Sequence, residues 1–237
     1  MNKSNNTDID QFPAANASIT TGPLRMIASP SILLGLCLAT VAFAVAPQPS
    51  ASYSFGKTLA QWQETWFRWS VGALSVPTDS NGNAVINNVV LMSLPDVPVD
   101  GTRGSLDLTL KPGQPFVLPL FLLFGNSYRD GSPDDQLASI DDFRNLDLEL
   151  TLDGVTILEG ANATQYFSQT TFVPPIPITD PASTFSAYLW LQGVTIVHAP
   201  LLVGQHTITL DEKIFIPEYD LTLEFHNTWN VTVKAGK

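Results

Sequence analysis

Residues 146–158 read LDLELTLDGVTIL. Leu146, Leu148, Leu150 and Leu152 alternate with Asp147, Glu149 and Thr151, the period-two pattern of a strand with one buried face. Asp153-Gly154 follows, a pair suited to the left-handed backbone of a two-residue hairpin turn. Val155 then opens a second apolar run through Leu158. Antiparallel strands joined by a tight turn are therefore predicted at the centre of the chain.

The same signals recur on both sides. In 105–110, Leu106, Leu108 and Leu110 oppose Asp107 and Thr109. Residues 116–124, FVLPLFLLF, are continuously apolar, which predicts a strand covered on both faces, with Pro119 marking an edge or a bulge. Residues 85–94 read as another buried strand, and 185–198 as a strand with Gly193 as a candidate bulge. Residues 201–210 turn into an alternating strand, and 220–233 alternate again. Residues 171–181 hold four prolines and predict an extended loop. Many short strands with frequent turns and no βαβ alternation predict an antiparallel β-sandwich, jelly-roll-like in outline.

One stretch departs from this. Residues 55–69, FGKTLAQWQETWFRW, have helical spacing. Leu59, Trp62, Trp66 and Trp69 fall on one face, and Thr58 with Gln61 forms a capping box. Gly72 is placed to stop the helix. The prediction is one short aromatic helix, near the start of the mature chain, packed on the sandwich.

Ahead of it, residues 1–24 are polar, Arg25 follows, and 32–46 are apolar. A basic residue, a short apolar run and the small residues Ala42-Phe43-Ala44 describe a secretory signal, with an uncleaved anchor as the alternative. The run is shorter than the ~20 residues of a membrane-spanning helix. The chain thus divides into a lead and signal at 1–46, a Pro/Ser linker at 47–54 and a β-domain at 55–237. Secretion to the periplasm, cell surface or medium is expected, or membrane attachment through the first segment.

Composition narrows the partners. The formal net charge is -11, and the charges in 1–46 cancel, so the excess lies in the body. An acidic body argues against nucleic acid and anionic membrane surfaces. The one cysteine, Cys37, lies in the apolar run, so neither a disulfide framework nor a thiol nucleophile is available to the β-domain.

The spacing GKT-x3-W-x3-W-x2-W, carried by Gly56, Lys57, Thr58, Trp62, Trp66 and Trp69, resembles a family of uncharacterised secreted bacterial proteins. The turn at 152–155 and the stretch 204–208 resemble it too. The resemblance implies an aromatic helix before a β-sandwich, and export. It brings no activity.

Three groups of residues are candidates for chemistry. Trp62, Trp66 and Trp69 could form a stacking platform for a sugar ring, or core. Asp130, Asp134, Asp135, Asp141 and Asp142 crowd an acidic loop that could offer oxygen ligands to calcium, or be solvated. His198, His206 and His226, with Glu224 on the strand face of His226, could hold a metal or be unrelated. No G-x-S-x-G, P-loop or H-E-x-x-H is present. The expected function is an exported, non-enzymatic structural or interaction module with a protein or glycan partner. The alternative is a carbohydrate-binding module or a carbohydrate-active jelly-roll enzyme, with calcium as the one cofactor considered.

Overall fold

The computed structural model describes Pro47 and residues 53–98, 100–216 and 221–234. The predicted signal, its cleavage pattern and Cys37 lie outside these residues. The chain begins with two short paired strands, β1 (Tyr53–Ser54) and β2 (Lys57–Thr58), and helix α1 (Leu59–Ser70) follows at once. The capping box forms as the sequence implies. The Gln61 N–H donates to Thr58 Oγ1 at 3.2 Å, and the Thr58 N–H donates to Gln61 Oε1 at 2.9 Å. Gly72 ends the helix in the left-handed region, at φ +73°.

The hairpin β3 (Ala84–Ile86) and β4 (Val89–Leu91) comes next, then β5 (Asp100–Leu110) and β6 (Phe116–Tyr128). A 3-10 turn (Ile140–Asn145) precedes β7 (Asp147–Leu152) and β8 (Val155–Glu159). A four-residue helix, α2 (Gly160–Ala163), leads to β9 (Phe167–Pro177), β10 (Phe185–His198), β11 (Gly204–Ile216) and β12 (Leu221–Val233). These strands build two five-stranded sheets, ordered β3-β4-β6-β10-β9 and β5-β12-β11-β7-β8. They belong to one compact unit, Ala44–Lys237. The protein is mostly β, with one helix longer than a turn among the described residues.

Both sheets are mixed. Hairpin partners are antiparallel, but β4 runs parallel to β6 and β5 parallel to β12. The wholly antiparallel expectation is corrected there. Each parallel pair is made by a connection that leaves one sheet for the other, so it needs no βαβ crossover of the kind that alternation would reveal.

Two segments differ from the prediction for local reasons. The strand expected over 85–94 is broken by a two-residue turn, Asn87-Asn88, with φ of 49° and 69°. Asparagine tolerates the left-handed region, and a primed turn needs it twice. The loop expected over 171–181 is instead largely β9, an edge strand. Its pairing with β10 lapses between Thr171 and Ile176, the stretch that holds Pro174 and Pro175. Prolines are tolerated where no ladder N–H is needed.

The apolar run 116–124 becomes β6, covered on both sides. Phe121 faces the second sheet, 6.4 Å from Phe225 by ring centroid. Phe124 faces α1, 5.5 Å from Phe67. At Pro119 the register with β10 skips Leu120, so the predicted bulge is present. β4 pairs with β6 only at Phe116 and Val117, so the proline's missing N–H leaves no gap there.

α1 buries Leu59, Trp62, Gln63, Trp66 and Phe67, an i, i+3, i+4, i+7, i+8 stripe. The Trp62 indole donates to Ser54 O at 2.8 Å, and the Trp66 indole to Met92 O at 2.7 Å. From the second sheet, Trp229 donates to Ser93 O at 2.8 Å. Gln63 and Ser168 exchange two hydrogen bonds and tie the helix to β9.

Among the described residues, Glu212 is a buried ionisable group with neither carboxyl oxygen bonded. It is 2% exposed, between Leu210 and Ile214 on the inward row of β11, opposite Leu148 and Phe225. Burial alone raises its pKa well above the usual carboxylate range, because the charged form loses its hydration.

Two outcomes follow from this packing. Trp66→Ala is expected to lower stability by about 3–5 kcal/mol, as for a buried aromatic. Trp66→Phe keeps most of the ring but strands the Met92 carbonyl, costing about 1–3 kcal/mol. Denaturant titration reads both, and a Phe variant as stable as wild type would show that the indole hydrogen bond contributes nothing. For Glu212 the folded pKa lies above the unfolded value of about 4.3. Its contribution is therefore fully present below about pH 4.3 and is lost as pH rises toward the raised value, by at most about 1.4 kcal/mol per pH unit. Glu212→Gln removes that loss. The stability difference between variant and wild type should grow as pH rises above about 4.3, and a flat difference would mean that Glu212 is not buried as a neutral acid.

Candidate functional site

The tryptophan row is interior. Trp62 is fully buried and Trp66 is 7% exposed, each with its indole N–H held by a main-chain carbonyl. Trp69 is half-buried and meets Trp66 edge-on, with ring centroids 6.0 Å apart. Neither Trp62 nor Trp66 can offer a face to a ligand, so the platform alternative is corrected to core. The physical reason is visible in the stripe. Gln63 and Phe67, one residue on from Trp62 and Trp66, are buried with them, so the helix turns the tryptophan side inward.

The acidic loop does not converge. Asp130 accepts from the Ser132 N–H at 2.9 Å, which holds its carboxyl below the usual range and closes a local turn. Asp134 and Asp141 are exposed. Asp142 lies in the 3-10 turn. Asp135 is bound into the fold. Its Oδ2 accepts from the Asn126 N–H at 2.8 Å and its Oδ1 from the Tyr128 hydroxyl at 2.8 Å, while its carbonyl receives the Trp190 indole at 2.9 Å. The Trp190 ring fills the space over Gly125, where a Cβ would lie 2.0 Å from it. Asp135 thus anchors the loop to β6 and β10. Among the described residues no three His, Cys, Asp or Glu side chains gather as a cation site.

The histidines lie in three different settings. His198 is buried at the end of β10, stacked on Phe116 at 5.1 Å, with Nδ1 2.6 Å from Ala199 O. His206 spans Asp153 Oδ2 at 2.7 Å and Leu202 O at 2.9 Å, and so locks the hairpin turn at 153–154 to the start of β11. His226 lies on the outward side of β12, with Nδ1 2.5 Å from Asp211 and Nε2 3.0 Å from Glu224. Hydrogen bonds that the protonated ring donates to Asp211 and Glu224 raise its pKa above the usual imidazole range. Glu224, bonded to His226 and Lys213, is held lower than usual. Arg103, on β5, lies 4.0 Å from Asp211. The sequence indicated the Glu224–His226 pair by its i, i+2 spacing. Asp211 and Arg103 come from other strands, and only the register brings them in.

These residues share one surface, the outward face of the second sheet. Its residues are polar along most of their length: Thr209, Asp211 and Lys213 on β11, and Glu224, His226 and Thr228 on β12. The exception is Phe215, 56% exposed at one end. The side chains here are hydroxyls, amides and self-paired charges, suited to hydrogen bonding with a hydrated partner.

The sequence matches no protein-family model and no curated protein. Among solved structures, the solution structure of amebosin is 12% identical over 56% of this chain and 98% of that chain, with a TM-score of 0.19. At that score the likeness says nothing about this protein's fold or function.

Proposed function

We infer that the protein is an exported, non-catalytic binding or structural module, a β-sandwich of jelly-roll-like outline that works outside the cytoplasm. One observation carries the non-catalytic part: most of the candidate residues that the sequence offers hold the fold together. The indoles of Trp62, Trp66, Trp190 and Trp229 each donate to a main-chain carbonyl. Asp135 and His206 each close a loop. Residues bound in this way hold the loops and layers in place. Export rests on the signal pattern at 25–46 and on the resemblance to secreted proteins. No helix among the described residues is long and apolar enough to cross a membrane. The sandwich outline is supported by the way the chain passes between the two sheets after each hairpin.

The test uses the full chain, expressed in a bacterium and fractionated. Mass spectrometry of the exported protein is expected to find a new N-terminus following Ala44. Retention of an intact chain in the cytoplasm would overturn export. The purified protein should turn over none of a panel of ester, peptide and glycoside substrates. Turnover that survives repurification and is lost on substituting one side chain would make it an enzyme.

A further inference from the structure

The strand register aligns one hydroxyl from every strand of the second sheet. Ser105 pairs with Thr228, Thr228 with Thr209, Thr209 with Thr151, and Thr151 with Thr156. Paired residues share a face, so the five hydroxyls form a row running straight across β5, β12, β11, β7 and β8. Ser105 and Thr156 are exposed and the three between them are half-exposed, on the outward side. Threonine is common on strand faces; here one hydroxyl stands at the same level on each of the five strands, with a register shift between β7 and β8 beside it. The strands that carry the hydroxyls lie about 4.8 Å apart; the Thr151 and Thr209 hydroxyls bond to each other at 2.5 Å, and the Thr156 hydroxyl donates to Glu149 at 2.7 Å.

A second level lies beside it. Asp107 pairs with Asn230, and Asn230 with Thr207. The Asn230 amide donates to Asp107 at 2.8 Å, and all three residues are exposed. On the other side the charges are paired: Lys213 lies 3.4 Å from Glu224, and His226 bridges Glu224 and Asp211. Phe215 stands exposed past this charged level, a ring free for stacking.

We propose that this face binds a neutral polysaccharide, laid across the strands with the hydroxyl row beneath it. The proposal rests on the non-catalytic binding module inferred above and names its partner. Charge selects the occupant. Carboxylates outnumber the fixed cations on this face, Asp107, Asp147, Glu149, Asp211 and Glu224 against Arg103 and Lys213, and the chain carries -11, so polyanions and a second copy of the chain are repelled. A neutral polyol meets no such barrier. Its hydroxyls can donate to and accept from threonine and asparagine side chains, and a sugar residue is close in length to one strand spacing. Trp62, Trp66, Trp190 and Trp229, all buried, take no part.

The experiment is depletion of the full-length protein from solution by microcrystalline cellulose, chitin and mannan, with heparin-agarose as the polyanionic control. At least one neutral polymer is expected to remove the protein, and heparin to leave it. The triple variant Thr151→Val, Thr209→Val and Thr228→Val keeps side-chain shape and removes the hydroxyls. It should bind at least tenfold more weakly with an unchanged melting curve. Asn230→Ala, a single exposed change, should weaken binding independently and serves if the triple variant does not fold. No depletion by any neutral polymer, or binding by both variants equal to wild type, would overturn the proposal and leave the non-catalytic reading standing. Release of reducing ends from a bound polymer would do the reverse: the face would stand and the non-catalytic reading would fall.

Discussion

Two consecutive carbonyls hold the architecture together. As the chain leaves the first sheet after β4, Met92 O receives the Trp66 indole from the helix, and Ser93 O receives the Trp229 indole from the second sheet. Leaving such a carbonyl buried and unbonded costs about 1–3 kcal/mol, so both donors must be in place before the layers can close. The Met92 N–H is also tied, donating to Val117 O at 3.0 Å. The helix α1 and the strands β6 and β12 thus all bond to two adjacent residues, which fixes the passage from sheet to sheet. That constraint also explains why the helix must present its tryptophans inward.

The architecture was legible where the signal is local. Alternation at 146–152, the Asp-Gly turn and the capping box each needed only neighbours in sequence. What was not legible depends on partners far along the chain. Nothing in 100–110 announces that β5 runs parallel to β12, because each strand carries the same two-faced pattern whichever way its neighbour runs. Asn87-Asn88 was hidden by the apolar residues on both sides of it. In β9 the prolines outweighed the strand pattern, and only the edge position, a property of the whole sheet, makes them compatible.

The same limit applied to the candidate residues. Helical spacing puts Trp62 and Trp66 on one face but does not say which face is inward. The crowd of aspartates looked like one feature, yet Asp135 is distinguished from Asp134 by Asn126, Tyr128 and Trp190, which lie outside the acidic run. Glu212 could have been found. Continuing the alternation of Ile208 and Leu210 through the charged triplet to Ile214 places it inward, against its chemistry. The hydroxyl row could not, because its alignment exists only in the register.

The prolines of β9 have a consequence for how copies of the protein meet one another. An open sheet edge is a template on which another chain can add a strand, the first step toward amyloid-like stacking. β9 is the outer strand of the first sheet, and Val173 beside its prolines is 87% exposed. An apolar edge of that kind would invite such growth. Pro174, Pro175 and Pro177 lack the N–H groups an incoming strand would need, and the other outer strand of that sheet, β3, is only three residues long. A domain with no disulfide to resist misassembly is thereby kept from nucleating fibres along either border of that sheet.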